Sequence, residues 1–195
     1  MKNVILTSHT GNNADLLPYI FELYVPDSSK IADVTYGKGV FWNNIDKEKY
    51  QLFPSDLQSG IDFTKLPYEN NIFDCLILDP PYMHGGQTIK SSINDCYKNK
   101  NTSHESVIRL YTGGILEASR VLKKKGIILV KCQDEIESGK QRLSHLELIQ
   151  ILEILGFSIE DLFILTQKTI PAMRENYQKI ARKNHSYMIV ARFRK

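Results

Sequence analysis

Apolar residues along this chain fall into two kinds of run. Ile31 to Thr35, Phe73 to Leu78 and Ile127 to Lys131 are short and mostly apolar, as buried strands are. Others repeat at helical spacing. Leu17, Ile20, Phe21 and Tyr24 share one face of a helix predicted over 16–24, where Pro18 is tolerable only in the first turn. Val107, Leu110, Leu116 and Val121 mark a helix over 104–124, ended by Lys123-Lys124-Lys125-Gly126 with cations in its last turn and a glycine stop. Leu146, Ile149 and Leu152 mark a third over 144–155, stopped at Gly156. Further strands are expected at Tyr50–Phe53, very briefly at Gly60–Phe63, at Phe157–Leu165 and at Ser186–Phe193. Residues 8–15 read as a loop ending in helix N-cap candidates. From about 83 to 103 no periodicity persists, so that segment reads as a long mobile loop. Strands alternating with helices imply an α/β fold with a mainly parallel sheet covered on both faces.

Composition narrows the class. The chain has 195 residues, 42% hydrophobic and 24% charged, which suits a single soluble domain over 1–195. It lacks an apolar run of about 18 residues that could span a membrane, and its N-terminal apolar stretch is too short for a signal peptide. Cys75, Cys96 and Cys132 lie far apart without zinc or redox spacing, so no metal is expected and a reducing cytoplasm is the expected compartment. Net charge is +3, but from Lys168 onward eight Lys or Arg face Glu175 alone, within a basic C-terminal segment over 166–195. That asymmetry suits a phosphate-bearing partner, or simply a solvated basic terminus.

The most specific chemistry sits where the strand from Phe73 runs into Asp79-Pro80-Pro81-Tyr82. Two prolines forbid continuation of the strand, because neither can donate to a sheet ladder. They leave a carboxylate, a rigid carbonyl and an aromatic ring at the C-terminal edge of the sheet, where ligands of open α/β folds bind. Asp79 and the Pro80 carbonyl can accept the two N–H groups of an exocyclic base amine, and Tyr82 can stack on a base taken out of its helix. Upstream, Asp33-Val34-Thr35-Tyr36-Gly37-Lys38-Gly39 follows another strand, and its glycines would let a cofactor approach the backbone. It lacks the third glycine of the dinucleotide fingerprint. Asp56 and Asp62 follow the next two expected strands. Each alone reads as a turn residue, but together with Gly37, Gly39 and Asp79 they walk successive strand ends along one edge.

Asp-Pro-Pro-Tyr after a buried strand, downstream of a D-x-x-x-G-x-G loop, resembles the S-adenosylmethionine-dependent amino-methyltransferases of DNA, which act on adenine N6 or cytosine N4. The resemblance covers roughly residues 8–132. It implies a Rossmann-like class I methyltransferase fold with helices on both faces and an antiparallel strand at one edge. It places the donor's methionine part against Gly37 and Gly39, with Thr35 in the same loop and Asp33 orienting it. Asp56 then falls at the ribose position, Asp62 at the adenine position, and Ser8 to Asn13 near the donor's carboxylate. Asp79, Pro80, Pro81 and Tyr82 become the catalytic motif, with methyl transfer direct and in line. The family usually carries Phe where Thr35 stands and Ser where Lys38 stands.

The expected function is therefore methylation of an exocyclic amine in DNA, adenine ahead of cytosine. The alternatives are an RNA base-amine methyltransferase and a non-catalytic nucleic-acid-binding module. His84, Lys90, Lys98 and Lys100 are candidate phosphate contacts on the 83–103 loop, and Arg182 and Lys183 form a second candidate contact before the last strand. In the alternative reading of that second stretch, His185 merely caps a turn. His145 is expected on a helix surface, and Trp42 in packing. With little chain beyond the core, specificity would come from these loops, a homodimer or a partner protein.

Overall fold

The computed structural model describes residues 4–81, 103–167 and 180–194. In chain order these form β1 (Ser8–Thr10), α1 (Asn13–Tyr24), β2 (Lys30–Asp33), β3 (Gln51–Pro54), β4 (Phe73–Leu78), α2 (His104–Val121), β5 (Leu122–Cys132), β6 (Glu135–Glu137), β7 (Lys140–Arg142), α3 (Ser144–Ile154), β8 (Phe157–Thr166) and β9 (His185–Phe193). Seven of the strands make one sheet in the order β1-β8-β9-β5-β4-β2-β3, and β6 and β7 pair as a separate hairpin. Within the large sheet β9 runs against both β5 and β8, while the other neighbours are parallel. The expected mainly parallel sheet with helices on both faces is present. Its antiparallel strand lies inside the sheet rather than at the edge, with β8 and β1 beyond it.

Alternation along the central strands supplies both layers. Leu76 and Leu78 of β4 and Ile128 and Val130 of β5 face α2 and α3, packing on Tyr111, Ile115, Leu148 and Leu152. Cys75 and Ile77, with Ile127 and Leu129, face α1 and meet Leu17, Ile20, Phe21 and Trp42. Helix α1 begins earlier than its apolar spacing predicts, because Asn12 and Asp15 form a reciprocal capping box. Pro18 therefore sits beyond the first turn, at a cost of about 3 kcal/mol in a helix interior. Burial of Leu16, Leu17, Ile20 and Phe21, about 1.5–3 kcal/mol each, outweighs it.

Several expectations are corrected. Gly60–Phe63 forms no strand: Asp62 Oδ1 accepts from the Thr64 amide and hydroxyl, both at 2.8 Å, and that local turn competes with a ladder. Residues 8–10 are strand β1 rather than loop, because Ser8, His9 and Thr10 pair with Ile164, Leu165 and Thr166. Helix α2 stops at Val121, and the lysines that were to end it lie in β5, where Lys125 takes a left-handed backbone (φ 65). His185 opens β9 instead of capping a turn. Tyr82, His84, Lys90, Lys98 and Lys100 lie outside the described residues.

Candidate active site

The C-terminal ends of β2, β3, β4, β5 and β8 and the start of β9 share one edge, as the pairing directions require. The polar residues gathered there each sit one pleat beyond an apolar one. On the face toward α1, Ile31 is followed by Asp33, Ile77 by Asp79 and Leu129 by Lys131, while Ser186 precedes Met188 on antiparallel β9.

Asp33 is buried and organises the loop after β2. Its carboxylate accepts from the Thr35 amide at 3.2 Å and from the Trp42 indole Nε1 at 2.7 Å. Burial pushes its carboxyl up to about 6, against the opposing effect of those two donors. Trp42, expected only in packing, is therefore also a hydrogen-bonding anchor. The two glycines differ. Both have positive φ, 52 for Gly37 and 66 for Gly39. A Cβ on Gly39 would come to 2.5 Å from the Tyr36 hydroxyl, so a side chain there would have to displace the Tyr36 ring as well as adopt a left-handed backbone. Over Gly37 the nearest atom to such a Cβ is 4.0 Å away, leaving a cradle over the backbone.

Thr35 joins this loop to the Asp-Pro-Pro segment: its Oγ1 accepts from the Asp79 amide at 2.8 Å. Pro80 is buried and Pro81 half-buried. Asp79 Oδ1 is itself buried and has no hydrogen-bond partner among the described residues. Burial raises the Asp79 carboxyl to about 7, with the Lys131 ammonium pulling it down and Asp33 pushing it further up. Asn13 Oδ1 at the start of α1 and Ser55 Oγ just after β3 are likewise buried without partners among the described residues. Asn44, in the chain after Trp42, donates to Asp15 at 3.1 Å, which brings the start of α1 beside the glycine loop.

The remaining sequence-predicted residues are placed less pointedly. Asp56 follows β3, where its Oδ1 accepts from the Ser59 amide at 2.8 Å and its carboxylate acts on Asp33 electrostatically. Asp62 is exposed and its Oδ1 is occupied by Thr64. Arg182 is exposed and Lys183 half-buried, and both lead directly into β9 at this edge.

Sequence reading missed the opposite flank. Lys131 is 1% exposed and donates to Ser186 Oγ at 2.6 Å. Beyond it, buried Asp134 takes His145 Nδ1 at 2.7 Å and the Tyr187 hydroxyl at 3.3 Å, with His145 stacked on the Tyr187 ring. His145 is thus built into the sheet's edge rather than left on a helix surface. Lys131 and Asp79 had one signal in common: each is a charged residue directly after an apolar run, Ile127–Val130 and Cys75–Leu78.

Among the described residues no helix is long and apolar enough to cross a membrane, and no cluster of His, Cys, Asp and Glu has the makings of a metal site. A comparison with curated protein sequences finds no match. Among solved structures, the chain is similar to TrmN from Thermus thermophilus (TM-score 0.58, 15% identity, 92% of this chain and 48% of that one). It is also similar to the 1,6-didemethyltoxoflavin-N1-methyltransferase of Burkholderia thailandensis, a structure with S-adenosylhomocysteine bound (TM-score 0.55, 11% identity, 94% and 77%). These likenesses establish the class I methyltransferase fold. A second Thermus thermophilus protein, described as a candidate DNA modification methylase and complexed with S-adenosylmethionine, matches at TM-score 0.47 and 15% identity over 85% of this chain. The chain spans 56% of that protein's length. The family model described as DNA methylase matches residues 73–193, from the start of β4 to the end of β9. That match takes in Asp79-Pro80-Pro81-Tyr82, Lys131 and the whole second flank, and leaves the glycine loop to be placed by β2 lying against β4. The family's cofactor is S-adenosylmethionine, and the cradle over Gly37 with the partnerless Asn13, Ser55 and Asp79 oxygens fits a polar ligand at this edge. The chain belongs to the N6/N4 DNA methylase family.

Proposed function

We propose that this chain methylates an exocyclic base amine of DNA, adenine N6 in preference to cytosine N4. The observation that carries the reading is Asp79 Oδ1, a buried acceptor without a partner among the described residues, at a strand end fixed by Thr35 on one side and two prolines on the other. Leaving such an oxygen unpaired costs about 1–3 kcal/mol, a cost that a ligand N–H relieves. S-adenosylmethionine, when bound, supplies an electrophilic sulfonium methyl group. Gly37 would face its methionine part, Asp33 holds the loop that carries Gly37, and Asp56 would meet its ribose.

An exocyclic amine is a poor nucleophile because its lone pair is delocalised into the ring. Asp79 Oδ1 accepting one N–H, and the Pro80 carbonyl accepting the other, would draw the nitrogen toward tetrahedral geometry and localise that lone pair. Once methylated, the nitrogen carries one proton too many. A carboxylate titrating near neutrality is suited to take it from the hydrogen bond already in place. Positioning and fixed charge therefore supply the catalysis, without a covalent enzyme intermediate. Tyr82 would stack on the extruded base. Arg182 and Lys183, together with His84, Lys90, Lys98 and Lys100, would meet the phosphates.

Tritiated methyl transfer onto duplex DNA, single-stranded DNA and total RNA tests this reading. Transfer to DNA is expected, lost in Asp79→Ala while S-adenosylhomocysteine still binds. Transfer to RNA alone would replace the substrate, and full activity in Asp79→Ala would remove Asp79 from the chemistry.

A further inference from the structure

Lys131 is the least expected residue at this edge. It ends the apolar run of β5, and at 1% exposure its ammonium is stripped of water. One neutral hydroxyl, Ser186 Oγ at 2.6 Å, does not replace the hydration of a cation. The strand's end is pinned by Tyr111 of α2, whose hydroxyl donates to the Lys131 carbonyl at 2.6 Å. That bond fixes the backbone from which the Lys131 side chain springs, and Ser186 holds its ammonium.

The counter-charge comes from the next strand. Leu78 pairs with Val130, so one step further along both chains sets Asp79 beside Lys131, on the face toward α1. The ammonium and the carboxylate act on each other electrostatically, each favouring the other's charged form. Among the described residues, the other groups facing Asp79 are Asp33 on β2, which opposes ionisation, and the Thr35 hydroxyl, which is engaged with the Asp79 amide. Facing Lys131 is Ser186 on β9, while the Cys132 thiol, on the opposite face of β5 and kept neutral by burial, also acts on it electrostatically.

Resting on the reading of Asp79 as the amine acceptor, we propose that Lys131, anchored by Ser186, is a positioning residue whose ammonium keeps Asp79 ionised and therefore able to accept the amine's N–H. A protonated Asp79 would present a donor to the base and would have no site for the departing proton. Without Lys131, the burial of Asp79 and the neighbouring Asp33 would both favour that dead form. The same pairing limits the site at high pH, because burial lowers Lys131 to about 8. The site has both charges in place only in a narrow window around neutrality.

The test compares the wild-type chain with Lys131→Met, which keeps the volume and removes the charge, and with Lys131→Arg, which keeps the charge. The Asp79 carboxyl is followed by 13C NMR titration, assigned by its loss in Asp79→Asn, and kcat/KM by its pH profile. In Lys131→Met the Asp79 midpoint and the acid limb of kcat/KM should both rise by about one pH unit or more, with a roughly fivefold or greater loss at pH 7 that narrows toward pH 9. Lys131→Arg should restore the wild-type limb. An unchanged Asp79 midpoint in Lys131→Met, or a loss of rate equal at every pH, would overturn the proposal and leave Lys131 a structural residue. The titration needs no substrate. A wild-type chain inactive on every nucleic acid would therefore overturn the reading of the site, while the titration alone still decides whether Lys131 governs Asp79.

Discussion

Replacing Thr35 by valine keeps the shape of the side chain and removes one oxygen. That oxygen is the acceptor of the Asp79 amide at 2.8 Å, and it is the direct tie between the donor loop and the Asp-Pro-Pro segment. Valine leaves the amide with an apolar neighbour in a half-buried position, at a cost of about 1–3 kcal/mol. For a chain of this size each kcal/mol corresponds to about 2–4 °C in Tm. Thr35→Val should therefore lower the urea midpoint without changing the m-value, and lower Tm by about 2–12 °C. The catalytic effect should be larger, because the carboxylate is carried by the released backbone and a shift of about 1 Å can cost roughly 100-fold in rate. Initial rates at saturating donor and DNA should fall about 10- to 100-fold, with S-adenosylhomocysteine affinity within a few-fold of wild type. Thr35→Ser, which keeps the hydroxyl, should recover most of the rate. If Thr35→Val turns over at the wild-type rate, the tie does not position Asp79. The presence of Thr where the family usually has Phe would then need another explanation.

Asp79 also sets the pH behaviour. Its carboxyl titrates at about 7 in the folded chain, against ~4 when unfolded, so the native state holds the proton more tightly. The resulting stability is fully present below pH ~4 and is lost as pH rises through about 7, a change of about 4 kcal/mol at 1.4 kcal/mol per pH unit. Asp79→Asn should consequently be more stable than wild type at pH 8 and indistinguishable at pH 4, measured by urea unfolding, while being inactive at both. The glycines should separate: Gly39→Ala forces a Cβ into the Tyr36 hydroxyl and should lower Tm by several degrees. Gly37→Ala has room for its methyl, so apart from the modest strain of its positive φ its effect should fall on donor affinity, measured by calorimetry with S-adenosylhomocysteine. Trp42→Phe keeps the packing but takes a donor from Asp33, and should weaken donor binding more than it lowers Tm.

The strands that carry the site could be read from the chain because an acid interrupts an apolar run there, as Asp33 and Asp79 do. Lys131 interrupts one in the same way. A lysine at a strand end is usually solvated through its long stem, so its burial became apparent only once β9 was seen to close over β5. Strand β1 had no local signal: Ser8-His9-Thr10 is polar and is held by backbone pairing to β8 and by the Thr10–Thr166 hydroxyl contact at 2.7 Å, far along the chain. The β6–β7 hairpin did have one, Ser138-Gly139, both with positive φ (50 and 78), but its flanking strands are too polar to alternate. Gly60–Phe63 misled because Phe63 is indeed buried, against α2, while the Asp62 carboxylate spends itself on Thr64 instead of leaving the backbone to pair. The second flank, where His145, Tyr187 and Asp134 meet, joins residues from three parts of the chain and could not be assembled without the fold.

The central claim is that Asp79 presents an exocyclic base amine of DNA to a methyl donor. Mass spectrometry of nucleosides released from DNA incubated with the chain and S-adenosylmethionine tests it most directly. The account predicts N6-methyl-2′-deoxyadenosine, with any N4-methyl-2′-deoxycytidine in smaller amount, and neither product from Asp79→Ala. A methyl group found on ring carbon or on RNA alone, or N6-methylation persisting in Asp79→Ala, would contradict it.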